Sequence, residues 1–111
     1  MIEIQFIFSD ERTTTMLREF SDREDAILAA MYEYKNLVAW RTAENLVNSA
    51  NFDSENNGFY WKDTAEKDQK TFEHYIKAAC PAHADYLIDG LTKLIAAHMV
   101  NLQHRIDEAK R

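Results

Sequence analysis

Gly58, Pro81 and Gly90 are the only glycines and the only proline in this chain of 111 residues. Glycine and proline are the residues that let a backbone reverse cheaply. A β-sandwich or barrel needs such a reversal roughly every 8–12 residues. With so few turn formers, the spacing predicts a handful of long elements, most of them helical.

The clearest of these runs from Ala82 towards the C-terminus. Leu87, Ile88, Leu91, Leu94, Ile95, Met99, Leu102 and Ile106 fall on one helical face, with Asp85, Asp89, Lys93, Gln103 and Asp107 on the other. Within that stripe Ile88, Leu91, Ile95, His98 and Leu102 alternate in steps of three and four, the spacing of a short coiled-coil seam. His98 is the one polar member. A polar seam residue can set the register of self-association, so Leu91, Ile95, His98 and Leu102 are candidate residues for a homodimer contact.

Upstream, Ser21 with Glu24 three residues later makes a capping-box pattern, and Asp22 and Asp25 suit the positive end of a helix. This helix is expected over about 22–49. Its apolar stripe of Ile27, Met31, Tyr34 and Val38 gives way to polar Arg41, Thr42 and Asn45, while Ala39, Ala43, Leu46 and Val47 open a second stripe. Such a helix either bends near Trp40 or meets different neighbours along its length. A shorter helix is expected over about 64–80, capped by Asp63 and Glu66 and stopped by Pro81. Between the two, Asn56-Asn57-Gly58 reads as a turn.

At the N-terminus, Ile2, Ile4, Phe6 and Phe8 alternate with polar residues at the period of a half-buried strand. Thr13 to Glu19 suits a return strand, giving a β-hairpin over about 2–19. The expected class is therefore α+β, predominantly helical. The N-terminal hairpin packs against a long helix, a shorter helix and a long C-terminal amphipathic helix over about 82–109. A composition 46% hydrophobic and 12% aromatic allows residues 1–111 to form one domain with its own core. Cys80 stands alone, no leader peptide is recognisable, and no window approaches the about 18 apolar residues of a membrane span. A reducing, cytoplasmic setting is expected.

Chemistry-bearing patterns are sparse. A phosphate-cradling loop needs more glycine than this, and His104 with Asp107 matches no metal spacing. Cys80 beside Pro81 and His83 suits a packed helix junction better than a nucleophile. No catalytic residue, metal or cofactor is expected. A small-molecule pocket walled by Tyr34, Trp40 and Trp61 is the weakest alternative.

The formal net charge is −6. That field repels phosphate backbones, so direct nucleic-acid binding is not expected, and it attracts a basic partner surface. Asp22, Glu24 and Asp25, together with Asp53 and Glu55, are candidate partner-binding carboxylates. Phe59, Tyr60 and Trp61 are candidate aromatic anchors, because three adjacent aromatics in an extended segment cannot all face one core. The expectation is a non-enzymatic inhibitor that docks on a basic or nucleic-acid-binding protein, in the manner of phage anti-defence or anti-CRISPR proteins. Toxin-immunity proteins and antitoxins share the profile, and a self-assembling homo-oligomeric scaffold is the structural alternative.

Overall fold

The structure is a computed structural model that describes residues 2–7, 13–18, 22–51 and 55–110, with side chains for 22–51 and 61–110. Three helices carry it: α1 (Arg23–Asn51), α2 (Glu55–Ala79) and α3 (Ala84–Ala109). Ahead of them lie two six-residue strands, β1 (Ile2–Ile7) and β2 (Thr13–Arg18). The strands pair antiparallel, Ile2 opposite Arg18 and Ile7 opposite Thr13.

The expected α+β class, with the hairpin as a layer packed against three helices, is overturned. Where side chains are described the chain is 96% helical, in three helices with no strand among them. The described core is drawn wholly from those helices. The class is a mainly helical bundle. A two-stranded ribbon alone is marginal in water, whereas helices of 25 to 29 residues can each bury a full stripe.

Asp22 starts α1. Its Oδ1 accepts the Asp25 N–H at 2.8 Å, satisfying one of the donors that a helix start leaves open. The cap thus falls one residue after the expected Ser21, which lies outside the described residues. The helix then runs unbroken to Asn51. Its two stripes meet different neighbours along its length. Tyr34 stands edge-on to Phe72 of α2, with ring centroids 5.3 Å apart. Trp40 stands edge-on to His98 of α3 at 5.2 Å.

Helix α2 begins at Glu55, well ahead of the expected start near 64. Asn56-Asn57-Gly58 is helical backbone, not a turn. The helix penalty of asparagine and glycine is at most about 1 kcal/mol each, which extension of a helix packed along α1 outweighs. Asp63, expected as a cap, sits mid-helix and pairs with Lys67 at 2.9 Å. At the far end Pro81 stops α2. Cys80 takes φ −138° and ψ 62°, and Pro81–His83 forms one 3₁₀ turn before α3.

Contacts fix the directions. Arg41 meets Asp68 and Tyr34 meets Phe72, so α1 and α2 are antiparallel. Lys35 lies 3.5 Å from where a Cβ on Gly90 would stand, Trp40 meets His98, and Asn51 meets Gln103, so α1 and α3 are parallel. Val38, Ala39, Ala43, Phe72, Ile76, Leu87 and Leu91 form the centre of the core. Thr42 is also fully buried there, and its hydroxyl makes no hydrogen bond among the described residues. An unpartnered buried hydroxyl costs roughly 1–3 kcal/mol. Thr42→Val keeps the shape and removes that cost, so thermal unfolding should show a gain of about 1 kcal/mol. A lowered melting temperature would show that the hydroxyl does useful bonding.

Candidate functional site

The acidic first turn of α1 is open to solvent: Asp22, Glu24 and Asp25 are all exposed. Because α1 and α3 are parallel and α2 is antiparallel, this end of the bundle also holds the start of α3 and the end of α2. It therefore gathers exposed Asp85 and two of the most exposed aromatics, Tyr86 at 68% and Tyr75 at 53%. Tyr75 turns outward beside His74, ring centroids 5.4 Å apart.

The other expected contact group does not join this surface. Asp53 lies outside the described residues. Glu55, Phe59 and Tyr60 fall in the first turns of α2, where only the backbone is described, and Trp61 is half-buried. Antiparallel packing sets those turns against the last turns of α1. At 1.5 Å per residue, roughly 35 Å of helix separates them from Asp22. The acidic cluster and the aromatic run sit at opposite ends of a molecule 50 Å long.

The seam of α3 is occupied from within the chain. Leu91 and Ile95 belong to the core cluster, and Leu102 packs against it half-buried. His98 is half-buried against Trp40 of α1. A homodimer through these four residues would have to displace α1. Nor do Tyr34, Trp40 and Trp61 wall one pocket. Tyr34 turns towards α2 and Trp40 towards α3.

Sequence reasoning missed the ion pair between Arg41 and Asp68. Arg41 Nε donates to Asp68 Oδ2 at 3.2 Å, and the Asp68 side chain is 1% exposed. Burial, then the nearby Asp68 carboxylate, push the Tyr34 phenol up to about 12. The signal was present. Arg41 interrupts the apolar stripe of α1, and Asp68 falls between Ala65 and Phe72, on the face those residues bury. Opposite charges at core positions of two helices announce a buried pair.

A concavity lies among the described residues. The C-terminal thirds of α1 and α3 bound an open groove of about 500 Å³, lined by Leu46, Val47, Ala50, Met99 and Val100 among others. A reciprocal amide pair bridges the two helices beside it. Asn51 Nδ2 donates to Gln103 Oε1 at 2.7 Å, and Gln103 Nε2 donates back to Asn51 Oδ1 at 3.1 Å. Gln103 Nε2 also reaches Asp107 Oδ1 at 3.0 Å. Cys80 is buried, and burial raises its thiol pKa, which makes it a poor nucleophile. Among the described residues no three His, Cys, Asp or Glu side chains gather as a metal would require. Nor is any described helix long and apolar enough to cross a membrane. Comparison with known protein families, curated proteins and solved structures finds no match to this chain.

Proposed function

We propose that this protein acts by binding another protein, as a non-enzymatic inhibitor whose acidic end docks on a basic surface. What supports this reading is the exposure of Asp22, Glu24 and Asp25 at the end of the bundle that also carries Asp85, Tyr75 and Tyr86. Carboxylates there raise the rate of encounter with a cationic partner, and exposed tyrosines supply anchors that desolvate on contact. A basic protein that itself binds nucleic acid has the matching charge, and covering that surface would block it. The Phe59-Tyr60-Trp61 run drops out of this contact, because it lies at the other end of the molecule.

Charge reversal tests the proposal, with the helix cap kept. Asp22→Asn preserves a capping side chain. Combined with Glu24→Lys and Asp25→Lys, it moves the formal net charge from −6 to −1. Affinity isolation from the native host supplies the partner, and stopped-flow association with that purified partner gives the readout. Association of the wild type should slow steeply as salt rises, and the triple variant should be slow and nearly insensitive to salt. Equal rates for both proteins across the salt series would remove the electrostatic docking.

A further inference from the structure

Helices α1 and α2 meet along rows that change little under a slide of one turn. The α1 row through Tyr34 is Ala26, Ala30, Tyr34, Val38 and Thr42, all buried and, apart from Tyr34, all small. The α2 row through Phe72 continues at the same four-residue spacing to Ile76, also buried. If α2 slid by four residues towards the C-terminus of α1, Phe72 would leave Tyr34 for Val38, again an apolar neighbour. Hydrophobic burial is non-directional, so it separates the two registers only weakly. The connection between the helices does not pin them either. The first turn of α2 is Glu55-Asn56-Asn57-Gly58, and asparagine and glycine gain little from being helical. Unwinding that turn would let the slide proceed.

The charged positions do tell the registers apart. Asp68, with a side chain 1% exposed, accepts Arg41 Nε at 3.2 Å. One turn on, Asp68 would face Asn45 and Arg41 would face the Phe72 ring. A buried carboxylate without its cation is strongly destabilising. The pairs of Lys67 with Asp63 and Lys93 with Asp89 carry no such information, because each lies within one helix.

We infer that the Arg41–Asp68 pair is a register lock, which selects one of several near-equivalent alignments of α2 on α1. A polar residue in a coiled-coil seam fixes alignment in the same way, at some expense of stability. A slid α2 would carry Tyr75 about 5.4 Å along the bundle, away from the first turn of α1. Under the docking reading above, Arg41 and Asp68 are therefore positioning residues for Tyr75. The register itself does not depend on that reading.

Spin labels on Arg23→Cys and Lys62→Cys, both exposed and far apart along the bundle, measure the alignment by electron double resonance. Cys80→Ala removes the native thiol. With Arg41 and Asp68 in place one distance is expected. Exchanging Arg41→Asn with Asn45→Arg moves the cation by one turn, so Asp68 should follow and the distance should lengthen by about 5 Å. Arg41→Met with Asp68→Leu removes the lock and should populate both distances, with helicity by circular dichroism unchanged. Should the exchanged variant fail to fold, the apolar pair decides. A folded exchanged variant that keeps the original distance, or an apolar pair that shows the original distance alone, would overturn the inference.

Discussion

Asp68→Ala should destabilise the bundle by about 3 kcal/mol, the lower end of what removing one partner of a buried ion pair costs. The figure sits at that end because the Arg41 side chain is 17% exposed and can recover some hydration. For a domain of this size the melting temperature should fall by roughly 10–20 °C. Replacing both partners, Arg41→Met with Asp68→Leu, should restore most of the loss, since well-packed apolar side chains commonly match or exceed a buried pair in stability. Tyr34 supplies a second readout. Its phenol is held up to about 12 by burial and then by the Asp68 carboxylate, so in Asp68→Ala it should ionise at lower pH. Ultraviolet absorbance at high pH follows that shift directly. A loss well below 1 kcal/mol, with an unmoved Tyr34 titration, would show that the pair contributes little.

Phe72→Ala should cost a similar or larger amount, about 3–5 kcal/mol, because it opens a cavity at a fully buried position. Phe72 also presents its ring to Tyr34 at 72°, an edge contact that adds about 0.5–1.5 kcal/mol beyond the area buried. Phe72→Leu keeps most of the volume and should cost markedly less. Urea unfolding of the two variants separates the cases. Equal, small losses would mean that α1 and α2 collapse freely around the vacancy. Both residues lie on the α1–α2 face, so each loss should reach the whole bundle.

Much of the helical architecture was legible in sequence, and the misreadings have a common cause. The 82–109 pattern identified α3 because its apolar stripe is continuous and a helix repeats it over many turns. Pro81 marked the junction because its effect on Cys80 is steric and local. The start of α2 was misjudged by nine residues, since Asn56-Asn57-Gly58 favours a turn by only a small margin that tertiary packing outweighs. The alternation at 2–8 overstated what the N-terminus contributes. Period-2 patterning reports which residues share a face, not whether a two-stranded ribbon has area enough to serve as a layer of the fold. As for sites, the exposed carboxylates of α1 were legible because charge at a helix start rarely buries, while Tyr75 and Tyr86 were not, since an aromatic on a helix shows its environment only once its neighbours are placed.

The scarcity of glycine and proline, with one long amphipathic stripe, by itself determined that this chain builds a few long helices. Those are properties of near neighbours, governed by backbone sterics and by the periodicity of a helix. Only the tertiary structure decided which ends meet. It set Asp22, Glu24 and Asp25 at the end of the bundle where α3 starts and roughly 35 Å of helix away from Trp61, gave Asp68 to Arg41, turned Leu91 and Ile95 inward, and left Val100 beside an open groove. Helix direction and crossing arise from side chains far apart in sequence burying each other, and no local pattern records which of them will meet.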